Sequence, residues 1–232
     1  MTGPAHEAPE PLPVHRTRLA FVGTLGTLHA RARGYDLARL RSLVERVEPD
    51  LLAVEADRAS WEAADTTSIP PEVLASLAPA ARLTDTVIVP VGGPSGREFA
   101  PPATGGLANA RASVIRGADG LLDVLARAFD SPEGASRGLY PHLCALLCHI
   151  EYAAASEAGR QAWRETNDRI LANLLQVIRS DPGRRVMAAV RCRRIHWLEA
   201  RLAVLPEVEL VPFECLTQVD RRQLPTGRPV EA

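Results

Sequence analysis

The stretch Phe21-Val22-Gly23-Thr24-Leu25-Gly26-Thr27-Leu28-His29 reads as a buried apolar strand that breaks at glycine and delivers a histidine just past its end. A second apolar run, Leu51-Leu52-Ala53-Val54-Glu55-Ala56-Asp57, carries an acid at its own end. Between them, residues 35–48 are helical in pattern. Asp36 is suited to cap that helix, and Leu37, Leu40, Leu43, Val44 and Val47 fall on one stripe. Pro49 ends it, because the residue before a proline is pushed out of the helical region. The unit is strand–helix–strand. Ligands in open α/β sheets bind outside the carboxyl ends of the strands. If strands 1 and 2 are neighbours, about 5 Å apart, His29 and Glu55 share one cleft. They are then a candidate acid–base pair, with Glu55 fixing the imidazole tautomer.

Working outward, residues 1–15 hold four prolines and no periodicity, as a disordered arm would. Residues 68–81 give a short helical piece entered through Pro70-Pro71, and residues 86–91 a third, β-branched strand. Residues 92–106 carry five glycines and three prolines, which predicts a long loop able to act as a lid. Residues 108–128 and 141–179 are helical in pattern. Residues 185–190 are β-like, 194–205 an amphipathic helix and 207–213 a last strand. Alternating elements with apolar strands predict an α/β fold with a mostly parallel sheet, covered on both faces. The expected organisation is one domain over 16–216, built from amino- and carboxyl-terminal strand–helix–strand units, with a tail at 217–232. A helical insertion over about 104–180 caps the carboxyl edge of the sheet.

Composition narrows the function classes. A net charge of −1 leaves no electrostatic footprint for nucleic acid or an anionic membrane. No apolar run reaches the roughly 20 residues of a membrane helix, and the first fourteen residues lack the pattern of a signal peptide. The expected location is the cytoplasm, with Cys144, Cys148, Cys192 and Cys215 reduced. All 27 cationic side chains are arginine. This absence of lysine, with the abundance of Ala, Arg, Pro and Val, points to a GC-rich genome of the actinobacterial kind. It also excludes a Schiff-base lysine, a P-loop lysine and a lysine general base.

Arg191, Arg193 and Arg194 follow the fourth strand at the edge that carries His29 and Glu55. A guanidinium fork there suits a carboxylate, a phosphate or a developing oxyanion. Arg194 is the first choice, and the competing reading is a solvated helix entry. Arg58, three residues after Glu55, is either a cap on that carboxylate or a further substrate contact. His142, Cys144, Cys148 and His149 invite a metal reading. On a helix, however, the two pairs point apart by roughly a quarter-turn or more, so core packing is expected. Trp163 and Trp197 read as core or pocket wall.

With Gly26-Thr27-Leu28-His29 ending one strand and Glu-Pro-Asp-Leu-Leu-Ala-Val-Glu-Ala ending in the next, the chain resembles a known superfamily. It joins TraB and Tiki proteins, ChaN haem-binding lipoproteins and erythromycin-esterase-like hydrolases. The resemblance is sharp over residues 18–58 and 184–213. It implies that His29 matches the first family histidine and Glu55 the second-strand acid. It also implies a helical insertion, then a second Gly-x-x-His before Trp197-Leu198-Glu199. Aligned without gaps, Arg191 stands on that glycine and Arg194 on that histidine; a two-residue slip puts His196 there instead. The family's polar run before the second strand makes Asn167 and Arg169 reserve substrate contacts.

Together these readings predict an enzyme using His-based acid–base chemistry on a small, natural-product-like and anionic molecule. The reaction is ester or lactone hydrolysis, or a non-hydrolytic cyclisation or elimination. The competing class is a binding or scaffold protein that kept the fold and lost the chemistry. No tightly held metal is expected, since His29 and Glu55 supply two ligands where catalytic sites use three. A divalent ion held with His196, or haem as in the ChaN branch, is the alternative. No nucleic-acid or membrane partner is expected, and the oligomeric state is left open.

Overall fold

Strand β1 (Thr17–Thr24) is buried along its length apart from Arg18, the pattern of a strand covered on both faces. With β2 (Leu51–Val54), β3 (Val87–Pro90), β4 (Arg185–Arg191) and β5 (Val208–Leu210) it forms a five-stranded sheet. All pairings are parallel, in the order β3-β2-β4-β1-β5. The expected α/β class with a mostly parallel sheet is the fold that this computed structural model contains. It describes residues 16–93, 98–129, 131–136 and 139–217. The expected amino-terminal arm and all but the first residue of the expected tail lie outside the described residues.

The neighbour relation differs from the one on which the His29–Glu55 pairing depended. β4 lies between β1 and β2, in register from Arg18↔Arg185 to Thr24↔Arg191 on one side and from Leu51↔Val186 to Val54↔Ala189 on the other. The axes of β1 and β2 are therefore two strand spacings apart, about 10 Å. β4 suits the centre because Val186 to Val190 are all buried, and the small Ala188 and Ala189 let elements on both faces approach.

One face of the sheet, with Ala20, Val22, Leu52, Val54, Met187 and Ala189, packs on helix α1 (Leu37–Val47) and on residues 73–81. The Asp36 carboxylate caps α1, accepting from the Arg39 N–H at 2.9 Å. Leu40, Leu43, Val44 and Val47 are wholly buried along its stripe, each contributing about 2 kcal/mol of apolar burial. After β2 come α2 (Arg58–Glu62), a π-helical turn (Val73–Leu77) and α3 (Ala78–Arg82). The other face, with Leu19, Phe21, Ala53, Val186, Ala188 and Val190, packs on two later helices. Helices α4 (Ala108–Ala128), α5 (Pro132–Ser136), α6 (Leu139–Ala154) and α7 (Glu157–Ser180) precede β4, and α8 (Cys192–Leu202) follows it.

The helical middle divides in two. Ala118 and Leu122 of α4 pack with Cys144 and Leu147 of α6 above Leu28 and Cys192, at the carboxyl edge. α7 instead lays Ile170, Leu174 and Ile178 on the sheet face beside α8. The helical pattern over 141–179 is interrupted at Ser156, whose hydroxyl accepts from the Gly159 N–H at 3.1 Å. The loop after β3 docks at this point, with the Ala100 carbonyl accepting from the Ser156 N–H at 2.9 Å. Residues 94–97 of the expected lid lie outside the described residues. The last strand is shorter than 207–213, because Pro212 leads into a 3₁₀ turn (Phe213–Leu216).

Candidate active-site cleft

β1 and β4 are neighbours, yet the chain leaves β1 towards the face that α1 covers and leaves β4 towards the face that α8 covers. Turns that diverge from adjacent strand ends open a crevice at the carboxyl edge. It measures about 460 Å³, within the range of small-molecule sites. Its walls are the turn from Thr24 to Leu28, the segment from Thr67 to Glu72, Asp119 and Leu122 of α4, Cys144 of α6, and Arg191 to Arg193. Gly26, at φ +61°, makes the turn out of β1. A side chain is disfavoured in that left-handed conformation.

Behind this cleft Arg194 is 1% exposed and committed in every direction. Its Nε donates to Glu55 Oε1 at 2.9 Å, Nη1 to Asn167 Oδ1 at 3.0 Å, and Nη2 to Glu98 Oε1 at 2.6 Å. The guanidinium also lies over the Trp163 ring, 4.8 Å from its centre. The two carboxylates hold its pKa up against the burial that would lower it. Asn167, wholly buried, serves this network, its amide also donating to the Trp163 carbonyl at 3.0 Å. The expected substrate contacts Arg194 and Asn167 thus turn their hydrogen-bonding groups to each other and to the acids. Glu55 is bound by Arg194 and by the Arg191 N–H at 2.8 Å.

His29 lies apart from Glu55 and is also satisfied. It is 1% exposed. Nε2 accepts from the Leu25 N–H at 3.0 Å, and Nδ1 faces the Tyr35 carbonyl at 2.8 Å. Burial lowers its pKa, against the raising effects of the Tyr35 carbonyl and Asp36, so the neutral Nδ1–H tautomer fits. The expected His29–Glu55 hydrogen bond is absent among the described residues, because β4 separates their strands and each has other partners. Arg58 pairs with Glu62 at 3.0 Å on an exposed surface, so it caps nothing at Glu55. Arg169 lies across the backbone of Gly93. His196 is exposed and lines a separate groove of about 540 Å³ between α6, α7 and α8. Arg194, not His196, is the residue of the second motif that meets Glu55.

Arg191 and Arg193 do line the cleft. The Arg191 side chain is 52% exposed, with Nε 3.7 Å from Glu55 Oε1. Arg193 Nη2 lies 2.6 Å from Asp119 Oδ1 and 3.0 Å from Glu151 Oε1. The Glu151 contact is off the line of a hydrogen bond, and neither oxygen of this wholly buried carboxyl has a hydrogen-bond partner among the described residues. Burial, with Arg193 opposing and Asp119 assisting, pushes its pKa up to about 7.

Glu72 is a cleft residue that no sequence motif marks. It is 3% exposed, and Oε2 has no hydrogen-bond partner among the described residues. Burial raises its pKa, and Glu55 adds to the rise. Its own backbone N–H, Arg191 and the Thr24 hydroxyl pull the other way. A signal is nevertheless present, since Glu72 stands four residues before Ser76 and eight before Ala80, on the stripe that α3 and the π turn bury. The four cysteines are free thiols. Cys144 and Cys192 meet at the cleft roof, where the Cys144 thiol, followed by Arg193, lowers the Cys192 pKa despite burial. Cys144 and Cys148 are buried with apolar neighbours, while His149 is exposed and turned to the Ala145 carbonyl. Among the described residues no three of His, Cys, Asp and Glu converge as metal ligands do, and no helix is long and apolar enough to cross a membrane.

Comparison with protein-family models, with curated proteins and with solved structures finds no match to this chain.

Proposed function

We propose that the β1–β4 cleft is the active site of a small-molecule-processing enzyme working by general acid–base catalysis, with Glu72 rather than His29 carrying the proton. One observation carries this reading: a carboxyl group buried to 3% exposure in the cleft wall, with an oxygen that nothing else engages. Burial, with Glu55 adding to it, raises its pKa, the direction that favours the protonated form a general acid needs. A titratable group in a cleft, perturbed by burial together with a neighbouring charge, is a functional candidate on this ground. Glu72 would donate to a leaving or carbonyl oxygen and recover the proton from water or from the substrate itself.

The resemblance of residues 18–58 and 184–213 to the erythromycin-esterase and ChaN group supports ester or lactone hydrolysis of a natural-product-like substrate. A cyclisation or elimination would use the same groups. Arg191 and Arg193 favour a substrate with an anionic part. The free thiols fit a cytoplasmic enzyme. The test is turnover of a panel of aryl esters and lactones by the wild type and by Glu72→Gln, with thermal melts to check folding. The expected loss is roughly 10²-fold or more for a missing acid–base group. Equal turnover by the two proteins would sink the proposal.

The second reading is a ligand-binding or scaffold protein. It is favoured by the complete commitment of His29 and Arg194 to internal partners. It predicts saturable binding in the cleft with no conversion of the bound molecule.

A further inference from the structure

Helix α4 carries two apolar stripes. The inner one, Ala118, Leu122 and Ala126, is buried. The outer one starts at the N-cap and runs Leu107, Ala110, Val114, Gly117, Leu121, Val124, Ala128, and every one of these residues is exposed. Its steps alternate three and four residues without a break, the a/d spacing of a seam that pairs with another helix. Leu107, Val114, Leu121 and Val124 are exposed by 45–66%. With Leu139, Leu146 and Ile150 of the adjoining α6, they make seven of the ten large apolar side chains that stand exposed among the described residues. Monomers scatter such residues singly; here they collect on two neighbouring helices. The glycines supply an independent observation. Gly117 and Gly120 stand mid-helix, where glycine weakens the structure. A Cβ on either would meet nothing within 4 Å, so no contact inside the chain requires their smallness. A second helix closing on this face would.

We propose that the outer seam of α4 is an interface with a second copy of this chain, the two α4 helices packing antiparallel about a two-fold axis. The seam complements itself in that sense. Leu107, Val114, Leu121 and Ala128 hold the a positions, and Ala110, Gly117 and Val124 the d positions. Antiparallel pairing sets a against d. Leu121 then meets Ala110 of the second copy, Val114 meets Gly117, and Leu107 meets Val124, so in the two inner layers a large side chain faces a small one. Parallel pairing would set Gly117 on Gly117 and leave a gap between the Val114 and Leu121 layers. The 21-residue helix spans about 30 Å. The seven seam residues and their flanks approach the roughly 800 Å² per partner that a stable interface buries. Residues 1–15 and 218–232 carry no three–four apolar repeat of their own, so neither matches the seam as a second α4 does. Asp119 and Leu122 of the same helix wall the cleft, and pairing would hold that wall in place.

Sedimentation velocity of the full chain over a concentration series tests the interface. A monomer–dimer equilibrium that reaches the dimer in the micromolar range is expected. Leu121→Glu should weaken it roughly a hundredfold or more, since each copy then brings an unpaired charge into the seam. Gly117→Leu separates a fitted antiparallel seam from general stickiness. The fitted seam loses about tenfold or more to overpacking against Val114, whereas a sticky face or a parallel pair gains from the added leucine. Leu83→Glu, at a side chain 66% exposed outside both helices, should leave the dimer intact, and thermal melts check that each variant folds. A dimer that either seam variant leaves as tight as the wild type would overturn the proposal. So would a wild type that stays monomeric throughout. Such a monomer binding phosphatidylcholine–phosphatidylglycerol vesicles through α4 would make a lipid surface the occupant. One whose α4 amides lose protection from hydrogen exchange when residues 1–15 or 218–232 are removed would make that segment the occupant.

Discussion

Whether a buried ion serves the fold or the chemistry is decided by how many of its hydrogen-bonding groups are already spoken for. Arg194 spends its guanidinium on Glu55, Asn167 and Glu98, so its first duty is to hold β2, the loop after β3, α7 and α8 together. Arg194→Met should cost about 3–5 kcal/mol, because it leaves two partly buried carboxylates without their counter-charge; urea unfolding measures it. A loss under about 1 kcal/mol would mean that the network is solvated and the guanidinium free for ligand. His29 obeys the same rule. His29→Ala orphans the Leu25 N–H and the Tyr35 carbonyl and opens a cavity, so a loss of about 2–4 kcal/mol is expected in the same measurement. A variant as stable as the wild type would return the imidazole to the free catalytic groups. At this scale the sequence is informative in an indirect way. Cys144, Leu147, Cys148 and Glu151 fall on one helical stripe, as do Glu72, Ser76 and Ala80. An acid on an apolar stripe marks a buried carboxyl from periodicity alone. His29 after its glycine turn stands out more, but a motif does not record what the ring nitrogens touch.

Elements are legible where periodicity alone specifies them. The apolar strands around residues 17–24, 51–54, 87–90 and 185–191 and the α1 stripe follow from period and capping. Their order in the sheet does not, because β1, β2 and β4 are all apolar on both faces and any of them could take the centre. The division of the helical middle into a cap and a sheet-covering helix is hidden for a similar reason, since each helix has one apolar stripe and a stripe does not name its partner. The start of α7 shows a tertiary demand acting on one residue. A Cβ on Gly159 would stand 2.8 Å from the Ala100 N and 2.9 Å from its carbonyl oxygen, and backbone atoms there have no easy way to yield. Gly159→Ala, which ordinary helix propensity would favour by about 1 kcal/mol, is therefore expected to destabilise instead, by about 1–3 kcal/mol of overpacking. It should also push the 98–100 segment off the helix and pull Glu98 from Arg194. Thermal melts and amide hydrogen exchange at 98–100 measure both effects, and a stabilised Gly159→Ala protein would show that the loop does not dock.

At the scale of the whole molecule, two buried groups set opposing pH dependences. Burial raises Glu151 to about 7 from an ordinary 4.5, with Asp119 assisting and Arg193 opposing. A carboxyl whose folded pKa is raised contributes stability that is fully present below about pH 4.5 and is lost as the pH rises through about 7, because the folded state holds the proton that the unfolded chain has released. His29 works the other way. Burial lowers its pKa below 6.5, so the unfolded chain takes up a proton first and stability falls as the pH drops through 6.5. The wild-type profile mixes the two, and Glu151→Gln separates them, since the amide keeps the shape and removes the titration. A shift of this size corresponds to about 3 kcal/mol. Urea unfolding at pH 5 and pH 8 should show the stability difference between Glu151→Gln and the wild type moving by most of that amount in favour of the variant at pH 8. The direction also bears on the cleft. Arg193 bridges Asp119 of α4 and Glu151 of α6 from the first turn of α8, so the proton on Glu151 sets how strongly the helical cap is tied to the sheet edge beneath it. A stability difference equal at the two pH values would place Glu151 in contact with solvent and remove that link.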